Sequence, residues 1–227
     1  MSAQVEQPRA VALEPSGIAS GIARRVLDVG LATLLLLALA PIMLIVALAI
    51  RIDSPGPVLF RQRRVGRGMH SFMVLKFRSM AVAADEGRHR DYVLGLITGG
   101  DEDAPADAGL YKLAVDDRIT RVGRWLRKTS IDELPQLWNV LRGEMSLVGP
   151  RPAIRYEVDA YPAEWYLERF TVRPGLTGLW QVSGRNERTF EEMVRLDVEY
   201  AHRQSLLLDV GILFKTIWVV LSGRGVA

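Results

Sequence analysis

VGLATLLLLALAPIMLIVALAI, residues 29–50, carries no charged side chain and is built almost entirely from Leu, Ala, Ile and Val. At about 1.5 Å per residue, a helix of this length matches the roughly 30 Å hydrocarbon core of a bilayer. A polar segment precedes the run and no small-residue cleavage site follows it, which argues against a secretory signal. Pro41 removes one backbone donor in the middle of the run. Arginines flank both ends: Arg24 and Arg25 before it, and Arg51, Arg61, Arg63, Arg64 and Arg67 after it. Basic flanks stay on the cytoplasmic side, so arginines at both ends disfavour a simple crossing. The expected structure is a re-entrant helix hairpin broken at Pro41, each arm reaching about 14–18 Å into one leaflet.

Outward from this segment, residues 1–20 read as a flexible tail, residues 21–52 as the membrane element and residues 53–227 as one cytoplasmic domain. Asp53-Ser54-Pro55-Gly56-Pro57 is a stop and turn. Val58–Arg64 and Phe72–Phe77 are rich in β-formers around Gly66-Arg67-Gly68, the pattern of a hairpin. Asp85–Gly109 reads as a helix leading into a surface loop. Phe190–Gln204 reads as a charged helix, and Leu206–Leu221 as an apolar helix suited to the core or to the headgroup plane. The fold class is therefore α/β, mostly helical with a small β-hairpin or sheet, in a monotopic membrane protein with amphipathic interfacial helices.

Composition narrows the chemistry. The chain has no cysteine, which excludes disulfides and thiolate chemistry, and His70, His89 and His202 show no metal-ligand spacing. A net charge of +3 suits an anionic membrane surface or a phosphorylated substrate, and no nucleic-acid motif accompanies it.

Thr129-Ser130-Ile131-Asp132-Glu133-Leu134-Pro135-Gln136-Leu137 places two adjacent carboxylates at an expected helix start. Arg118, Arg121, Arg124 and Arg127 lead into it at three-residue spacing, and Arg151 follows. Ser130-x-x-Glu133 also has the form of a capping box, a purely structural alternative. A carboxylate among arginines suits attack on a phosphate, because guanidinium groups neutralise the phosphoryl oxygens that would repel an anionic nucleophile. Arg173-Pro174-Gly175-Leu176-Thr177-Gly178 and Ser183-Gly184-Arg185-Asn186 set arginine beside glycine, where backbone amides can approach an anion. Asp132 and Glu133 could supply oxygen ligands to Mg²⁺ together with substrate phosphates.

Lys76-Phe77-Arg78-Ser79-Met80, Asp132 to Leu137, Val148-Gly149-Pro150-Arg151-Pro152 and Arg173 to Gln181 with Ser183 to Asn186 occur in an order that resembles the monotopic polyprenyl-phosphate phosphoglycosyl transferases, a bacterial sugar transferase family. The resemblance covers roughly residues 20–224 and is nearest the compact members that start exopolysaccharide assembly. It implies that Asp132 attacks the β-phosphate of a UDP-sugar, giving a covalent phosphosugar that polyprenyl (undecaprenyl) phosphate then accepts. Glu133 would assist with Mg²⁺ or with protons. Lys76, Arg127, Arg151 and Arg185 would contact phosphate, with Arg78 and Arg173 as further candidates. It also implies a re-entrant helix broken at a proline, contact with membrane lipid, and residence at the cytoplasmic face of a bacterial inner membrane. A membrane-anchored scaffold without catalysis is the competing reading. A homodimer stays open, as does the choice among galactose, glucose and an N-acetylated sugar.

Overall fold

In the computed structural model, which describes residues 18–81, 87–98, 118–184 and 188–222, the apolar run belongs to a single helix, α1 (Ile18–Asp53). Most of the expected tail lies outside the described residues, as does the loop expected over 99–109. The expected break at Pro41 is not seen: Pro41 lies inside an unbroken helix. A proline removes only its own N–H, so the hydrogen-bond ladder can resume one turn later when the neighbouring turns are good helix formers such as Leu and Ala.

Residues Ser20–Asp53 are long and apolar enough to cross a membrane, and only 11% of the most apolar window is buried. That window is therefore not a core helix. Its packed stripe follows the helical period: Ala32, Val46 and Ile50 are buried, with Leu35, Leu36 and Met43 partly so. Leu34, Leu37, Leu44, Ile45 and Leu48 face outward.

Both ends of α1 are tied to the same body. Near its start, Arg25 donates to the carbonyls of Val140 (2.7 Å) and Leu141 (2.9 Å), and the Asp28 carboxylate accepts from Ser146 Oγ (2.8 Å) and Leu147 N (2.8 Å). At its far end Asp53 Oδ2 accepts from Val122 N at 3.2 Å. At the same end Ile50 O accepts from Ser54 N (3.2 Å) and also from the buried Arg78 (3.4 Å).

The hairpin forms as the β-rich pattern requires. β1 (Leu59–Val65) pairs antiparallel with β2 (Ser71–Phe77), with Lys76 opposite Phe60. Gly68, at φ 62°, turns the chain between them. There follow α2 (Gly87–Thr98), α3 (Arg121–Thr129) and α4 (Gln136–Arg142). β3 (Ser146–Val148) is separated from β4 (Gly175–Thr177) by α5 (Arg155–Asp159) and a 3-10 stretch, Glu164–Thr171. α6 (Phe190–Arg203) and α7 (Leu206–Ser222) complete the order. Among the described residues the protein is mostly helical, with two small two-stranded sheets.

β3 and β4 are parallel, and they join a segment to which the sequence reading gave no element, Ser146–Val148, to part of the Arg173–Gly178 stretch read as an anion-binding loop. Gly149 donates to Thr177 O (2.9 Å) and Gly175 donates to Pro150 O (2.8 Å). A Cβ on Gly175 would lie 2.1 Å from Gly149 N, and one on Gly149 would lie 2.4 Å from Arg173 O. These glycines let two backbones touch. The main core collects Val74 of β2, Leu137 and Val140 of α4, Leu147 of β3, Tyr200 of α6, Ile212 of α7 and Ala32 of α1. A second cluster, Val46, Ile50, Phe77 and Leu126, holds the far half of α1 against β2 and α3.

Candidate active site

The carboxylate pair sits where the chain reverses between α3 and α4. Ser130 closes α3 in the left-handed region (φ 56°), its N–H directed back to the carbonyls of Arg127 and Leu126. Ile131–Glu133 then form one 3-10 turn, and α4 begins only after Pro135. The capping box that Ser130-x-x-Glu133 offered as a structural alternative is not formed, because the serine side chain makes no cap hydrogen bond. Pro135 displaces the start of α4, and the left-handed Ser130 belongs to the end of the preceding helix.

Asp132 is buried, at 8% exposure. Glu133 turns toward β2, where its Oε1 meets Lys76 Nζ at 2.9 Å, with both side chains partly open to solvent. Ile131 and Leu134, the neighbours of the dyad, pack into the Val46–Phe77–Leu126 cluster. The apolar flanks thus hold the turn while the acidic residues form its polar side. Asn139 of α4 fixes this geometry: its Oδ1 accepts from Leu75 N (3.1 Å), and its Nδ2 donates to Met73 O (2.7 Å) and Glu144 Oε2 (2.7 Å). It bonds the strand carrying Lys76 to the helix that follows Glu133. A polar residue on an otherwise apolar helix face was the one sequence signal for it.

The other basic candidates are dispersed. Arg127 occupies the last turn of α3, half-buried, close before the dyad. Arg78 is buried at the end of α1, donating to Ser54 O (2.7 Å), Ser54 Oγ (2.9 Å) and Pro55 O (2.7 Å) besides Ile50 O. Arg173 donates from Nε to Gly143 O at 3.0 Å. Burial and the neighbouring guanidinium groups of Arg67 and Arg25 lower its pKa. Arg185 lies outside the described residues.

Arg151 meets Glu157 through two bonds, Nη1–Oε2 at 3.0 Å and Nη2–Oε1 at 3.3 Å. Glu157 is wholly buried. Burial alone would raise its pKa, but Arg151 and then Arg64 outweigh burial and hold the carboxylate below its usual range. Arg169, also buried, donates to Arg151 O (2.8 Å) and Tyr161 Oη (2.9 Å) and pairs with the buried Asp197. Burial pushes Asp197 up to about 6 in spite of Arg169, and pushes Tyr161 up to about 12. Glu157, Arg169 and Asp197 had no local signature, because a buried ion pair is defined by partners distant in sequence.

Among the described residues no group of three or more acidic, His or Cys side chains forms a metal cluster. The adjacent carboxylates of Asp132 and Glu133 fit Mg²⁺ in one respect: that ion commonly takes one or two protein carboxylates and fills its octahedron with water and substrate phosphate.

Comparison with known proteins adds relatives to this geometry. The family described as bacterial sugar transferase matches residues 19–223. The exopolysaccharide production protein ExoY of Sinorhizobium fredii is 42% identical over 217 residues, covering 94% of this chain and 91% of that protein. The UDP-glucose:undecaprenyl-phosphate glucose-1-phosphate transferase of Caulobacter vibrioides is 43% identical over 221 residues, 92% of this chain and 75% of that protein. A UDP-galactose-lipid carrier transferase of Erwinia amylovora is 45% identical over 205 residues, 89% of this chain. The chain spans 41% of the length of that Erwinia protein.

Proposed function

Because this chain belongs to the bacterial sugar transferase family, we propose that it is an undecaprenyl-phosphate sugar phosphotransferase. It moves a sugar 1-phosphate from a UDP-sugar to the lipid phosphate, a membrane step in exopolysaccharide synthesis. The observation that carries the reading is the buried Asp132 on a tight turn, next to a Glu133 that is already paired with Lys76. Relatives named for glucose-1-phosphate and galactose transfer support a plain hexose as the sugar.

In the proposed chemistry, a carboxylate oxygen of Asp132 attacks the β-phosphorus of the UDP-sugar. The bond from that phosphorus to the bridging oxygen breaks, UMP leaves with the oxygen, and an aspartyl phosphosugar remains. An oxygen of polyprenyl phosphate then attacks the same phosphorus and releases Asp132. Lys76 neutralises phosphoryl oxygens as charge shifts toward UMP. Arg127, Arg151 and Arg185 are assigned to the substrate phosphates. Asp132 and Glu133 would hold Mg²⁺, which supplies additional positive charge to the diphosphate when bound.

The proposed setting is one leaflet, with both ends of α1 on the side of the catalytic body and that body on the cytoplasmic face. Two features support it. Polar contacts tie the Arg25–Asp28 end and the Asp53 end of α1 to one body, whereas a spanning helix would separate those ends by a bilayer of roughly 30 Å. Leu207, Phe214, Ile217 and Trp218 of α7 are exposed apolar side chains suited to the headgroup region.

The test is UMP release by purified protein with Mg²⁺ and polyprenyl phosphate across UDP-glucose, UDP-galactose and UDP-N-acetylglucosamine. Asp132→Asn is expected to reduce release by about 10³-fold or more. A quenched reaction should carry the phosphosugar mass on Asp132. Native turnover with that mass on another residue would overturn the mechanism while leaving the activity standing.

A further inference from the structure

Between the far half of α1 and α3 lies a groove of about 390 Å³. Ile42, Ile45 and Ala49 line one side, and Arg121, Val122 and Trp125 line the other. Ile42 and Ile45 are exposed on the flank of α1 that faces α3, Leu44 and Leu48 are exposed elsewhere around the same helix, and Trp125 is 52% exposed. An apolar chain would therefore enter from the lipid side of α1 without crossing water.

The base of the groove connects to the dyad. Val46, which also lines it, and Val122 pack in one cluster with Ile131 and Leu134, the residues that bracket Asp132 and Glu133. Charge follows the same route. Among the described residues Arg121 is the one charged side chain lining the groove. Arg124 and Arg127 follow along α3 toward Ser130, a stripe of about 9 Å from Arg121 to Arg127 at the helical rise. An apolar trough beside a cationic stripe complements an amphiphile with a hydrocarbon chain and an anionic phosphate.

We propose that this groove seats the first isoprenoid units of the acceptor, a long-chain polyprenyl phosphate, with its phosphate directed along the α3 arginines toward Asp132. This rests on the transferase reading above and names its acceptor subsite. The groove is where a polyprenyl acceptor would be distinguished from a phosphate bearing a single prenyl unit, because one unit leaves most of it unfilled.

The experiment has an activity arm and a binding arm. In the first, kcat/KM is measured with undecaprenyl and dimethylallyl phosphate for the native protein, Ala49→Trp, Ile45→Trp and Leu48→Trp. The groove-filling pair, Ala49→Trp and Ile45→Trp, should lower the long-to-short ratio about tenfold through KM. Leu48→Trp, on the exposed face outside the groove, should leave the ratio at the native value. In the second arm, a prenyl phosphate with a photoactivatable group on its first isoprenoid units should label the Ile42–Ala49 or Trp125 peptides. That label should survive excess phosphatidylglycerol. Unchanged ratios in both groove variants, an equal fall in Leu48→Trp, or label displaced by phosphatidylglycerol would each overturn the proposal. Labelling of the groove in a protein that releases no UMP would instead sink the transferase reading and leave a prenyl-phosphate site.

Discussion

Two assemblies of acid and base differ in nearly every physical respect. At the dyad, Lys76 and Glu133 form one 2.9 Å pair with side chains 29% and 26% exposed. Behind Val148-Gly149-Pro150, Arg151, Glu157, Arg169 and Asp197 form a network whose carboxylates are almost completely buried. A part-exposed pair contributes little to stability, about 0–1 kcal/mol, and can be re-partnered when an anion arrives. A buried network cannot lose one member cheaply, because the remaining charge has no solvent. The first is therefore suited to handling substrate, and the second to keeping the Arg151 loop in place.

Removal of Arg169 gives the largest expected effect. Arg169→Met leaves Asp197 buried beside an apolar side chain and should cost about 3–5 kcal/mol, read as a Tm lower by roughly 10 °C in detergent. A Tm within a degree or two of native would mean that the network is no more costly to break than a surface pair. Lys76→Met should do the reverse. Stability should change by under about 1 kcal/mol, while kcat should fall by about 10²-fold as one cation near the transferring phosphoryl is lost. If Lys76→Met unfolds the protein and keeps its turnover, the division between the two assemblies is wrong.

pH separates the members of the buried network. Asp197, pushed up to about 6 in the fold, has an unfolded pKa near 3.9. Between those values the native state keeps a proton that the unfolded chain has released, so Asp197 makes stability fall as pH rises through that window. Glu157 is shifted the other way. Its contribution is complete above its unfolded pKa, about 4.3, and is lost as pH falls through the lower folded value. Urea midpoints across pH 3 to 7 should show the two opposing slopes. Asp209, also pushed up to about 6 by burial, acts in the same direction, so Asp197→Asn should remove only part of the decline between about 4 and 6, and an undiminished decline would assign it wholly to other acids.

What could be read from the sequence tracks how local each interaction is. The hairpin and α6 were legible because alternation and helical period act over a few residues, and α1 because its apolar run is continuous. β3 and β4 were not: three residues each give no period, and their partner lies across α5 and the 3-10 stretch. The Arg173-Pro174-Gly175 segment read as an anion cradle, yet Gly175 serves strand contact with Gly149. Arg78 shows the same limit. Its charge suggested phosphate, while its guanidinium donates to carbonyls at the end of α1 and in the turn after it, distant in sequence. Asp132 could be singled out because the adjacent Glu133 and the arginines before it are close in the chain, and Asn139 was missed because its partners are on β2.

The smallest expected effect bears on why Glu133 is available to Lys76. Two segments carry the same Ser/Thr-x-x-Glu pattern. At Thr189–Glu192 the capping box forms: Glu192 N donates to Thr189 Oγ1 (3.2 Å), and Thr189 N donates to the Glu192 carboxylate (2.8 Å). At Ser130–Glu133 the serine is left-handed, no cap bond forms, and Glu133 turns to Lys76 instead. Thr189→Ala should therefore cost about 1 kcal/mol. Ser130→Gly should be neutral or stabilising by up to about 1 kcal/mol, since glycine adopts the left-handed conformation without penalty. Paired urea titrations decide between them. A loss at Ser130→Gly equal to that at Thr189→Ala would mean that the serine does cap, that Glu133 is held by the helix start, and that its pairing with Lys76 is incidental.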